Sequence, residues 1–296
     1  MRRRRATDPM DRTVPGWMDA LLVGGTFGVL LWLERRHPLR KHAVEPKLRR
    51  GARNLAVAAL AAAAVQVAEK PVTAPLTRLV GRRRWGLLQR LPLPAWLEVV
   101  LAAVLLDYTL YLWHVLTHRV PLLWRFHQVH HADLDMDAST AVRFHFGEMT
   151  LSVAWRAMQV RVIGVRPLAL SVWNTLLLPC VMFHHSNAGL PLRLERRLSK
   201  VLVTPRMHAI HHSIVPEETN ANWSSGLTAW DRLHRTLRLD VAQDDLTLGV
   251  PAYRRPGDVT LPKVLAMPFT GQPPGERLPD GTRPRRGRAA APRLRG

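Results

Sequence analysis

Residues 93–131 read LPAWLEVVLAAVLLDYTLYLWHVLTHRVPLLWRFHQVHH, and this stretch decides the fold. An apolar run from Leu93 to Trp113, carrying Glu98 and Asp107, leads directly into His114 and His118. Positions i and i+4 share one face of a helix, so the spacing predicts a helix with both imidazoles on one side. After Pro121 comes His127-x2-His130-His131, whose i, i+3, i+4 spacing again predicts one helical face. A greasy helix that ends in histidines, followed by a histidine-bearing helix, predicts a membrane-embedded body capped by polar chemistry.

The rest of the chain repeats the theme. Apolar stretches recur at Trp17–Leu33, Leu55–Ala68, Met149–Ile163 and Pro167–Phe183; the third contains Arg156 and Arg161, and the last Pro179. None reaches the roughly 20 residues of a comfortable span. Their number, with Arg and Trp at their flanks, nevertheless favours a membrane over a soluble helical core. The first run lacks a small-residue cleavage site at Trp32-Leu33-Glu34-Arg35 and reads as an uncleaved helix.

The fold expected is all-α and integral to the membrane, with about four or five embedded helices and a cytoplasmic, histidine-rich helical cap over roughly 114–148 and 187–240. Four regions follow: a basic N-terminal segment 1–16, embedded or interfacial helices over 17–92, a catalytic domain over 93–254, and a disordered Pro/Arg-rich tail over 255–296. Loops 34–53 and 70–92 are both strongly basic, so they cannot both lie inside if 55–68 crosses fully. A shallow or re-entrant 55–68 and a surface-lying 70–92 resolve that conflict.

Charge and cysteine count exclude several classes. The 296 residues carry a formal charge of +21, with 38 Arg among the 43 basic residues. These charges sit in loops and tail, not on one face interleaved with aromatics, so anionic lipid headgroups are the expected partner and nucleic acid is not. The single cysteine, Cys180, rules out a disulfide framework and any zinc site built on paired cysteines; it reads as core. There is no phosphate-binding glycine loop or dinucleotide fingerprint.

Histidine carries the chemistry. Eleven of the fourteen lie between His114 and His212. A third cluster, His208-x2-His211-His212, repeats the spacing of the second, and His145 and the doublet His184-His185 lie between. Buried neutral imidazoles cost free energy unless both ring nitrogens are satisfied. So many together therefore point to metal, and eight to ten nitrogens suit two ions with open positions. Imidazole alone does not choose among iron, zinc and copper. An apolar substrate without polar handles calls for oxygen activation.

The order H-x3-H, H-x-x-H-H, a middle histidine, then H-x-x-H-H resembles the fatty acid hydroxylase superfamily, in its sterol desaturase group. Asp107-x3-Tyr111-x2-His114, Trp124-Arg125-Phe126-His127, Arg143-x-His145-x2-Glu148, His185-Ser186-Asn187, and Asn222-Trp223 followed by Trp230-Asp231-Arg232-Leu233 carry the likeness over roughly 95–237. Val115, Phe146 and His234-Arg235 depart from the family pattern.

The resemblance implies an integral-membrane enzyme with two non-haem iron ions. It would use dioxygen, and electrons from a separate donor protein, to hydroxylate or desaturate a lipid or sterol-like substrate. It implies as ligands His114, His118, His127, His130, His131, His185, His208, His211 and His212, with His145 as a tenth and His184 as the alternative to His185. Asp107, on the ligand face of its helix, and Glu148 are expected to accept ring N–H groups of ligands. Asn187, Asn220 and Asn222 are expected to orient ligands or backbone. The rival readings are a membrane di-zinc hydrolase or lyase using a metal-bound hydroxide, which would call for carboxylate ligands or H-E-x-x-H, and a metal transporter, which would call for polar residues along several spans.

Overall fold

A computed structural model describes residues 8–273 and 276–286. Among these the chain is helical, with isolated β-bridges and no strand. The long elements are α1 (Gly16–Arg36), α2 (Lys47–Ala64), α3 (Lys70–Arg83), α4 (Ala95–Arg119), α5 (Pro121–His131), α6 (Phe146–Gln159) and α7 (Pro167–His185). Shorter helices follow: α8 (Leu192–Leu198), α9 (Pro205–His211), α10 (Pro216–Thr219), α11 (Ala229–Leu233) and α12 (Leu261–Ala266).

Among the described residues, four segments are long and apolar enough to cross a membrane: Gly16–Arg36, Lys47–Arg90, Ala95–Arg119 and Pro167–His185. Their surface is inverted relative to a soluble protein. Trp17, Leu21, Val67, Trp96, Val100 and Leu176 are exposed, while Arg50, Arg53, Asn54 and Glu98 are buried. Apolar outside and polar inside is the distribution that lipid selects.

The sequence expected 70–92 to lie on a membrane surface. Instead α2 continues into α3 through a π-helical turn at Val65–Glu69. Pro71 and Pro75 follow inside this continuous run, where each lacks the N–H that the turn before it would bond. A second π-helical turn, Val160–Gly164, ends α6. Its last residue, Gly164, meets Gly86, both at positive φ, and a Cβ on Gly86 would clash with the Gly164 backbone.

Helix ends sort into two poles. At one, Asp8 pairs with Arg166, and Gln89 donates to Glu98 and to the Gly164 carbonyl. At the other, the ends of α1, α4 and α7 meet the start of α2 and all the histidine helices. Leu39 N donates to the Asn187 carbonyl there, and Arg50 pairs with Asp133.

The tail expectation is overturned over most of its described length. Val259, Val264 and Met267 are buried against Val57, Val129, Ala132 and Leu134. Arg286 makes two bonds to Glu218, at 2.6 and 2.8 Å. Apolar residues spaced among the prolines supply a core contact that composition alone hides. Residues 274–275 and 287–296 lie outside the described residues. Deleting 256–296 is therefore expected to lower thermal stability markedly, since each apolar side chain uncovered costs about 1.5–3 kcal/mol. A detergent melt matching the full chain would show that the segment adds nothing.

Candidate metal centre

Proline begins three of the histidine helices, Pro121 on α5, Pro167 on α7 and Pro205 on α9, where its fixed φ starts a helix without losing a bond. Each turn of helix then delivers imidazoles to one face. His114 and His118 come from the end of α4, His127, His130 and His131 from α5, His185 from the end of α7, and His208, His211 and His212 from α9 and its C-cap.

Nine histidines gather in two sets. His114, His118, His127, His131 and His211 bring ring nitrogens within 4.8 Å of one another, as do His130, His185, His208 and His212. In the first set the Nε2 atoms of all five are buried with no hydrogen-bond partner. Three of their Nδ1 atoms are occupied: His114 bonds the Trp223 carbonyl at 2.7 Å, His211 the Ala221 carbonyl at 2.8 Å, and His127 the Glu148 carboxylate at 2.9 Å. A carbonyl only accepts, so those two Nδ1 atoms carry the proton and each Nε2 presents its lone pair inward.

The second set has the same character. His185 Nδ1 donates to the Val181 carbonyl at 2.8 Å, and its Nε2 stands 3.0 Å from His130 Nε2 and 3.1 Å from His208 Nε2. His208 Nε2 is 3.2 Å from His212 Nε2. Burial holds the imidazoles of His130, His131, His208, His211 and His212 well below their ordinary titration range, and neighbouring histidines push them further down. Neutral rings aiming lone pairs at one point repel unless a cation lies among them. Neighbouring donors on one ion at about 2.1 Å stand about 3.0–3.4 Å apart, as these do. The residues present therefore fit two metal ions.

Two expected ligands fall outside. His145 caps α6: its Nδ1 accepts from Gly147 N at 2.9 Å and its Nε2 bonds the Leu265 carbonyl at 3.2 Å, leaving no nitrogen free. His184 belongs to neither set, although its ring lies 4.5 Å from that of His185. Of the doublet, His185 is the one whose ring nitrogen falls within a set.

The carboxylates divide. Glu148 meets ligand-set His127, as expected of an outer partner. Asp107 touches no imidazole. Its Oδ2 accepts from Leu227 N at 3.0 Å and Trp230 Nε1 at 2.7 Å. A Cβ on Gly226 would stand 2.5 Å from Asp107 Oδ1, so glycine there permits the approach. Seven residues along a helix gave the right face, but the 224–230 loop intervenes. Asp107→Leu would leave two donors unpaired at about 1–3 kcal/mol each, whereas Asp107→Asn keeps one acceptor. The leucine variant is expected to melt well below the asparagine variant; equal melting points would remove the loop-holding role.

Asn187 is likewise away from the centre. It donates to the Arg40 carbonyl and accepts from Arg40 N, both at 2.9 Å, pinning the loop after α1. Asn220 closes a turn onto the Pro216 carbonyl. Asn222, at φ 55°, donates to the Met207 carbonyl at 2.9 Å and ties α9 to residue 238.

Two supports escaped the sequence reading. Asp231 accepts from Trp223 N, Ser224 N and Thr236 Oγ1, and so fixes the loop whose carbonyls hold His114 and His211. Asp133, two residues after His131, bonds Arg50 at 2.9 Å, Asn54 at 2.8 Å and Thr140 at 2.8 Å. Burial alone would raise the Asp133 carboxyl, but Arg50, Arg143 and Arg53 hold it below its ordinary range. Arg50 and Arg53, expected to be loop charges beside lipid headgroups, are buried, and Arg50 also pairs with Asp137.

A cavity of about 540 Å³ opens onto His114, His127, His130, His185 and His208, and continues between α4, α6 and α7 past Leu110, Trp113, Met149, Leu177 and Val181. Its size and apolar walls suit a lipid chain.

Residues 99–236 match the fatty acid hydroxylase family. The chain is 29% identical to an ornithine lipid hydroxylase of Rhizobium tropici over 60% of its own length and 52% of the relative. It is 31% identical to a cholesterol 25-hydroxylase-like protein of Danio rerio, over 50% and 59% of the two chains. With an alkylglycerol monooxygenase of Xenopus tropicalis the identity is 27%, over 44% and 28%. The chain thus spans about half the length of the first relatives it matches. No solved structure matches it significantly.

Proposed function

We propose that this chain, whose residues 99–236 match the fatty acid hydroxylase family, is a membrane-bound di-iron oxygenase that hydroxylates or desaturates a lipid or sterol-like substrate with dioxygen and electrons from a separate donor protein. The observation that carries the reading is the convergence of nine imidazoles, eight of them buried, in two sets at the end of an apolar cavity. The named relatives act on lipids and sterols by hydroxylation or monooxygenation.

His114, His118, His127, His131 and His211 would hold one iron, and His130, His185, His208 and His212 the other. The pair supplies the oxygen activation that an unactivated C–H bond needs. The chain's own residues do the rest. The Trp223 and Ala221 carbonyls and Glu148 fix the tautomers of His114, His211 and His127, which keeps each Nε2 lone pair available. Leu110, Leu177 and Val181 hold a lipid chain against the centre and keep bulk water from it. In this reading the histidine pole and the C-terminus face the cytoplasm; basic residues flank both poles, at 35–53 and at 78–90, so a reporter fused to the C-terminus tests the side.

Lipid extracts from cells with and without the protein, grown under labelled dioxygen, test the reading. A lipid gaining one labelled oxygen or a double bond only when the intact protein is present is the expected result. Hydrolysed or cleaved lipid without label would favour the zinc hydrolase or lyase instead.

A further inference from the structure

The cavity's end remote from the histidines carries charge that the oxidation does not use. Arg156 and Glu69 both line it, along with Gln159. Arg156 lies eight residues along α6 from Glu148, about 12 Å by helix rise. Glu69 closes the π-helical turn of Val65–Glu69, a distortion found mostly at functional sites. A charged pair at this depth in an apolar bundle is costly and needs a use.

The pair is held but not closed. Arg156 stacks over Trp173, its Cζ 4.5 Å from the ring centroid, and one terminal nitrogen donates to Gln159 Oε1 at 2.8 Å. Gln159 in turn donates to Thr109 Oγ1 at 2.5 Å. The guanidinium is thereby fixed on one side. On the other, Arg156 Nε stands 3.6 Å from Glu69 Oε1, beyond a good hydrogen bond, and Nε is buried without a partner. The other carboxylates lining the cavity are engaged elsewhere: Asp19 accepts from Thr175, and Glu148 meets His127.

We propose that Arg156 and Glu69 form the recognition site for a hydroxyl on an uncharged lipid, fixing which carbon of its chain reaches the histidines. This rests on the hydroxylase reading for the role of the cavity. A hydroxyl is both donor and acceptor, so it accepts from the guanidinium and donates to the Glu69 carboxylate at once. An alkane leaves both groups unsatisfied. A carboxylate or phosphate adds a charge to a pair already balanced, next to a carboxylate that repels it. The separation of about 12 Å of helix then sets the reach from hydroxyl to attacked carbon.

The test is equilibrium binding of radiolabelled 1-hexadecanol to the full chain in detergent micelles, with hexadecane and hexadecanoate as competitors. The alcohol is expected to bind roughly tenfold or more tightly than the alkane, as for one buried hydrogen bond to a charged group. It is also expected to outbind the carboxylate. Arg156→Leu should bring alcohol and alkane to equal affinity with alkane binding and metal content unchanged. Glu69→Gln, which preserves size, should weaken only the alcohol and serves if the leucine variant does not fold. Equal affinities in the unaltered chain, tighter binding of the carboxylate, or a preference that survives both substitutions would overturn the proposal. Alcohol selectivity without conversion of any lipid would sink the hydroxylase reading and leave this site standing.

Discussion

His211→Ala is expected to eliminate turnover and strip most of the metal, while the protein still reaches the membrane. His211 gives its Nε2 to the five-histidine set, and its Nδ1 is bonded to the Ala221 carbonyl at 2.8 Å. Removing it takes away a ligand and leaves a carbonyl without its donor, yet touches none of the four candidate spans. Loss of an outer-shell partner alone costs about 10–100-fold in affinity or activity, so loss of a ligand should exceed that. His145→Ala is the matched control. That ring joins neither set and serves as a helix cap, so the variant should lose some stability and keep its metal. Metal analysis of both purified variants decides. Retained metal and activity in His211→Ala, or metal loss confined to His145→Ala, would mean that the sets are misassigned.

The second large effect is expected at Asp133. This buried carboxylate faces Arg50, Arg53 and Arg143, and Arg143 also donates to the Val129 carbonyl at 2.9 Å. Asp133→Leu would leave buried guanidinium groups without their shared anion, a loss of about 3–5 kcal/mol when one partner of a buried pair is removed. The network anchors the start of α2 to the loop just after His130 and His131, so their placement should suffer with stability. Asp240→Leu gives the contrast: its partner Arg238 lies at the surface, where an ion pair contributes little. A detergent melt should fall steeply for the first and hardly move for the second. Similar melts would show that the buried network is dispensable.

Much of this was legible in the sequence, and the reasons are physical. Helical spacing places i, i+3 and i+4 on one face whatever the tertiary context, so the eight histidines of the three clusters could be read from their spacing. The family likeness added His185, with His184 as its alternative and His145 as a tenth, and the family match spans 99–236. Periodicity cannot say what lies opposite a face. Asp107 was placed on the right side of α4 and met a loop instead of a ring. His145 had the right neighbours, but a helix start claimed its nitrogens. Arg50 looked like ordinary loop charge because its partner, Asp133, lies some eighty residues away, and Arg53 because nothing in the spacing shows that its pair with Glu45 is buried. The tail misled through composition: prolines and arginines outnumber Val259, Val264 and Met267, yet those three supply the contact.

The central claim is a pair of iron ions held by two histidine sets. Metal analysis with Mössbauer spectroscopy, on protein purified from membranes without added metal, tests it most directly. The account predicts about two iron ions per chain in nitrogen-rich, non-haem environments. Stoichiometric zinc, or a single ion per chain in fully folded protein, would contradict it.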